Sequence, residues 1–171
     1  MEIYRLIMRR IILLFLAMLS LSINQAYASS LPDTEASLGG VRLGMSMSDV
    51  EKIYGEPLSR KPEIGFTGSR LMVYTYGDSF HLYVWEGTPG RYTSYINEIV
   101  SDKPNGLGTP MGIAVGIPRS SVEKIYGVGH PWSNEEYDAI YTTQHGMHID
   151  INYKIVNGEE IVSLIHLRFE G

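Results

Sequence analysis

The chain has 171 residues, with 14 basic against 19 acidic side chains, a net charge of −5 with neutral histidines, and no cysteine. The acidic balance speaks against nucleic acid and anionic lipid as partners, since both reward a basic face. Without cysteine there are no disulfides, no thiol chemistry, no Cys-ligated zinc and no lipid-modified Cys of the kind that tethers a bacterial lipoprotein, so no lipid anchor is expected.

The first stretch, MEIYRLIMRR, carries Arg5, Arg9 and Arg10 and runs into the thirteen-residue apolar segment IILLFLAMLSLSI. Small residues at Ala26 and Ala28 follow, in the spacing a signal peptidase accepts. Residues 1–28 therefore read as a secretory signal peptide cut after Ala28, the apolar run being shorter than the roughly 20 residues a membrane span needs. This predicts a periplasmic or secreted protein that touches the membrane only through the signal peptide before cleavage. Residues 29–37 read as an N-terminal linker.

From Gly40 the chain reads GVRLGMSMSDVEKIYG, and from Gly112 it reads GIAVGIPRSSVEKIYG, nine identities in sixteen positions. About one would be expected by chance from ordinary residue usage, so the chain reads as a duplication. In the first copy Ser46 is a helix N-cap with Asp49 three residues on, and Met45 and Val50 stand where a hydrophobic staple closes. Val50, Ile53 and Tyr54 share one helical face, Gly55 suits the left-handed stop, and Pro57 blocks continuation. The second copy keeps Ile117, Val122, Ile125, Tyr126 and Gly127 but has Pro118 and Ser121 at the cap positions, which predicts a weaker helix start.

After each helix the hydrophobic period changes from 3.6 to 2. LMVYTYGDSFHLYVW reads as two strands around Gly77-Asp78, with SYINEIVS as a third; AIYTTQHGMHIDINY repeats the scheme around His145-Gly146, and EEIVSLIHLRF closes it after Asn157-Gly158. The expected fold is α+β: repeat 1 over 38–101 and repeat 2 over 109–171, each a helix plus about three antiparallel strands. The Gly/Pro/Asn-rich 102–108 links them. One such unit buries little apolar surface, so the copies are expected to share a core or extend one sheet.

Strand alternation separates faces. Phe80, Leu82 and Val84 point one way, beneath the helix, and His81, Tyr83 and Trp85 the other. Tyr74 and Tyr76, with Met72, form a series opposite Leu71 and Val73, and the reading joins them to His81, Tyr83 and Trp85 as an outward aromatic platform. That platform either packs on the other copy or binds a protein partner, for which Tyr and Trp are suited. In the second half Met147, Ile149, Ile151 and Tyr153 oppose His148, Asp150, Asn152 and Lys154. His148 and Asp150, with His166 brought alongside by register, are candidate metal ligands, against the alternative of a solvated polar face. Glu135, Glu136 and Asp138 near Trp132 form an acidic cluster with the residue types of a carbohydrate-cleaving pair or of a merely solubilising loop. No serine sits in a Gly-x-Ser-x-Gly elbow, and Gly106-Leu107-Gly108 lacks the spacing of a dinucleotide fingerprint, so no catalytic residue and no cofactor is assigned.

The phrase VRLGMSMSDVEKIYGEP followed by strands resembles the SmpA/OmlA (BamE-like) outer-membrane assembly lipoproteins, and is similar to the tandem repeats of the β-lactamase inhibitory protein family. The resemblance implies units of helix plus antiparallel sheet whose open sheet face binds other proteins. It transfers only Gly44, Val50, Gly55, Pro57, Gly116, Val122 and Gly127, in a structural role. The missing lipobox Cys departs from the lipoproteins, and the doubled repeat favours the inhibitor-like layout. The sequence thus points to a non-catalytic protein-binding module, an envelope assembly factor or enzyme inhibitor. The alternatives are a metal-dependent or hydrolytic enzyme using His148, Asp150 and His166, and a structural envelope component.

Overall fold

The computed structural model describes residues 29–65, 68–88, 91–131 and 137–169. The signal peptide expected over 1–28 lies outside the described residues, as do Trp132, Glu135 and Glu136 of the acidic cluster. Ahead of the sheet, a 3-10 turn at Asp33–Glu35 leads into the short hairpin of β1 (Ser37–Leu38) and β2 (Val41–Arg42).

Two eight-residue helices follow the repeated phrase, α1 (Met47–Tyr54) and α2 (Arg119–Tyr126). Ser46 caps α1: its Oγ accepts the Asp49 backbone N–H at 3.2 Å and donates to Asp49 Oδ2 at 2.7 Å. At Pro118, which stands before α2 with the same extended backbone, no side chain caps the helix. Both helices stop at a glycine, Gly55 (φ 77°, ψ −158°) and Gly127 (φ 84°, ψ −173°). These angles are not the left-handed helical ones expected but an extended conformation with positive φ, which only glycine adopts readily. Val50 and Tyr54 pack inward, as do Val122 and Tyr126, while Ile53 and Ile125 at i+3 stay exposed. The buried stripe is thus narrower than the three-residue face read from the sequence.

The remaining strands are β3 (Ser59–Ile64), β4 (Arg70–Tyr76), β5 (Phe80–Thr88), β6 (Arg91–Tyr92), β7 (Glu98–Ser101), β8 (Ala139–Thr142), β9 (His148–Val156) and β10 (Glu159–Arg168). They form one antiparallel sheet in the order β3-β4-β5-β7-β10-β9-β8, with β6 hydrogen-bonded to β5. The turn between β9 and β10 is tight, with Asn157 and Gly158 both at positive φ (51° and 83°), the twist that a two-residue hairpin prefers.

This corrects the expectation of an α+β chain of two tandem helix-plus-sheet units. The protein is mostly β, because its helices are short and the strands of the two halves pair with each other directly. From Ile165 opposite Ser101 to Arg168 opposite Glu98, β10 lies against β7 and erases any boundary between separate sheets. The sequence reading also missed β3. Its charged residues and Pro62 hide the alternation, and such a segment survives as a strand only at a sheet edge, where β3 stands.

The duplication persists in particular bonds. Gly44 N–H donates to Ile96 O and Ile96 N–H to Met45 O, while Gly116 N–H donates to Val162 O and Val162 N–H to Ile117 O. The Tyr76 hydroxyl donates to Gly55 O at 3.3 Å, and the Tyr141 hydroxyl to Gly127 O at 3.1 Å. At one place the halves differ. The Tyr54 hydroxyl donates to Gly39 O at 2.5 Å, whereas the Tyr126 hydroxyl donates to Glu35 Oε2, whose Oε1 accepts the Met111 N–H at 3.0 Å. Glu35 is only 1% exposed. The segment 29–37, read as a linker, thereby lies docked: Leu31 is buried, its N–H donates to Thr142 O, and Gln144 N–H donates to its carbonyl.

One apolar core spans both halves under the helices, with Leu38, Val50, Phe80, Leu82 and Ile99 from the first and Ile113, Val122, Ile149, Ile151 and Leu167 from the second.

Candidate functional site

Cross-strand partners project to the same side of a sheet, so the register assigns every side chain to a face. Tyr76 lies opposite Phe80 and Tyr74 opposite Leu82, both therefore on the helix side. The tilted ring of Tyr76 is 5.6 Å from that of Tyr54, and Tyr74 packs on the core with Arg60 5.5 Å above its ring. The five-residue aromatic platform expected from the sequence is thus split. Tyr74 and Tyr76 belong to the covered face, while His81, Tyr83 and Trp85 share the other face with Leu71, Val73 and Thr75. The misplacement has a simple origin: alternation assigns the two faces within a strand but not which of them matches a face of its neighbour.

On that other face, the row through Tyr83 continues laterally into Glu98, Arg168 and His148, and the row through His81 into Val100, His166 and Asp150. The second half of the face is a polar network. His166 Nε2 donates to Glu98 Oε2 at 2.7 Å, and its Nδ1 is 2.7 Å from the Tyr137 hydroxyl. Trp85 Nε1 donates to Glu98 Oε1 at 2.7 Å, and Arg168 Nε donates to Asp150 Oδ2 at 2.6 Å.

These contacts set the charges. Burial pushes the Glu98 carboxyl up, but the hydrogen bonds from His166 and Trp85 and the nearby cations outweigh it and hold the group below its ordinary value. Asp150 is the reverse: burial is the larger effect and holds it above the ordinary value in spite of Arg168. The register does bring His148, Asp150 and His166 onto one face, yet they do not converge as ligands. Asp150 turns to Arg168, and both nitrogens of His166 are engaged by Glu98 and Tyr137. Among the described residues no group of three His, Asp or Glu side chains is placed to hold a metal ion.

The first half of the face is different. Between β3 and β10 an open groove of about 390 Å³ runs across it, floored by Val73, Tyr83, Val100 and Leu164 and edged by Thr75, His81, Lys61, Glu63 and Asp102. His81 Nδ1 is 3.2 Å from Thr75 Oγ1, and its Nε2 is 3.8 Å from Asp102 Oδ2. Tyr83 is half-buried and its hydroxyl is held above the ordinary range, first by burial and then by the negative charges of Glu63, Glu98 and Asp102. Trp85, at 41% exposed, stands beside the groove with its indole N–H fixed on Glu98.

Sequence reasoning found His81, Tyr83 and Trp85 through alternation. It missed Tyr137, and it missed Glu98 and the groove residues Val100, Asp102 and Leu164 because these meet His81 and Tyr83 only through the pairing of β7 with both β5 and β10, distant in sequence. No family model, no curated protein and no solved structure matches this chain.

Proposed function

We propose that the protein is a secreted or periplasmic, non-catalytic protein-binding module whose contact surface is the sheet face opposite the helices, centred on His81, Tyr83 and Trp85. One observation carries the reading. The helices and the core take one face of the sheet, and the other keeps an open groove with an apolar floor and hydrogen-bonding edges. Tyr and Trp anchor protein interfaces because they contribute contact area with little rotamer entropy to lose, and Trp85 is in addition fixed by its indole N–H on Glu98. The resemblance of the repeated phrase to assembly lipoproteins and inhibitory proteins supports the same use of an open sheet face. The N-terminal apolar run with Ala26 and Ala28 supports export.

The test is affinity capture from the native envelope, quantified for the wild type and for a His81→Ala/Tyr83→Ala variant. Retention of the partner is expected to fall by about 30-fold or more, the scale of a 2 kcal/mol anchor, with the melting temperature of the bait unchanged. Equal retention by both baits would overturn the assignment of this face.

A further inference from the structure

The groove has a charge pattern that an apolar docking site does not require. Glu63, opposite Leu71 on β4, stands at one end, and Asp102, one residue past the end of β7, at the other. Glu63 enters no ion pair among the described residues, and Asp102 has only His81, 3.8 Å away. Lys61 is the one cation in the lining, yet the charges that act on the Tyr83 hydroxyl at the centre are the carboxylates Glu63, Glu98 and Asp102. An approaching group therefore meets an apolar floor whose lining carries two carboxylates against one ammonium. The volume, about 390 Å³, is at the small end for ligand sites, suited to one long side chain rather than a large cofactor.

We infer that the groove takes a single arginine or lysine side chain from the partner protein, its aliphatic stem lying over Val73 and Val100 and its charged head on Asp102. Long basic side chains bury their stems on apolar surface while the head stays on a polar rim, and this groove offers both. The carboxylate of Asp102 accepts hydrogen bonds from the incoming head, and Glu63 adds attraction from the far end. The net charge of −5 steers a basic partner toward the molecule as a whole. The inference rests on the protein-binding reading and gives its partner a chemistry.

The full chain, labelled with 15N, is titrated with three capped peptides identical except for a central arginine, citrulline or glutamate. The arginine peptide is expected to shift the amides of β4, β5 and β7 and to bind about tenfold more tightly than the citrulline peptide at low salt. The difference should shrink in about 0.5 M salt and vanish in Asp102→Asn, which keeps the shape and removes the charge. Equal binding of all three peptides would overturn the cation preference and leave the protein-binding reading standing. So would absence of any shift at millimolar peptide while His81→Ala/Tyr83→Ala still loses its envelope partner. No shift together with unchanged capture by that variant would overturn both.

Discussion

Glu35 places a carboxyl group inside the core, and its neighbours show how a buried acid is tolerated. The Tyr126 hydroxyl and the Met111 N–H each donate to one of its oxygens, and Thr109 Oγ1 lies 2.8 Å from the same tyrosine hydroxyl. Removing one donor leaves a buried polar atom unsatisfied, which costs more than an ordinary hydrogen bond contributes. Tyr126→Phe should therefore lower stability by about 2–3 kcal/mol in urea denaturation, against about 1 kcal/mol for Tyr54→Phe, whose hydroxyl bonds only a backbone carbonyl. Glu98 supplies a second prediction at this scale, read from pH. Its folded carboxyl is held below the ordinary 4.5, so the unfolded chain binds the proton more readily. That stabilisation is complete above pH 4.5 and is lost as the pH falls through the lowered folded value. Asp150, held up by burial, works in the opposite sense, so the comparison needs a variant that isolates Glu98. The urea midpoint of Glu98→Gln should fall less steeply than that of the wild type below pH 4.5; parallel profiles would show that Glu98 contributes nothing to acid stability.

Each helix has only eight residues, too few to persist in water by propensity alone, so its ends and its docking decide whether it forms. The two copies are an internal control, since the apolar anchors are shared and the start signals differ. Ser46→Ala removes a side-chain cap and should cost about 1 kcal/mol, while Ser121→Ala in the uncapped copy should cost less than about 0.5 kcal/mol. The stops are more demanding than a sequence reader would infer. Gly55 and Gly127 adopt an extended backbone with positive φ that even asparagine, tolerant of left-handed helical angles, does not enter readily. Gly55→Asn should thus be as damaging as Gly55→Ala, about 1–3 kcal/mol each by chemical denaturation, whereas an ordinary left-handed cap would have spared the asparagine variant.

Across the whole molecule, the β7–β10 seam and the common core join the halves. Residues 29–108 in isolation would lack β10 against β7 and the α2 partner of Glu35, and residues 109–169 would lack β7 and the docked strap that runs along β8. Each would expose a sheet edge and half of an apolar core, a surface too small for independent stability. The full chain should melt in one cooperative transition with coincident far-UV and tyrosine-fluorescence midpoints. Each half expressed alone should give the circular dichroism of an unfolded chain. A folded half would show that the seam is dispensable.

The features legible along the chain are local ones. The nine identities in sixteen positions announced the duplication, Ser46 and the two stop glycines bounded the helices, and period-2 alternation with Gly77, Gly146 and Asn157-Gly158 located most of the strands. These signals act over a few residues, through caps, turns and the pleat, so they are written where they operate. Tertiary structure alone decided that one antiparallel sheet replaces two α+β units, that Tyr74 and Tyr76 lie under the helices, and that Glu98 joins Trp85 to His166. Those outcomes depend on which strand pairs with which and in what register. A one-residue slip would send every side chain of a strand to the opposite face, and only the filling of a shared core selects among the possibilities.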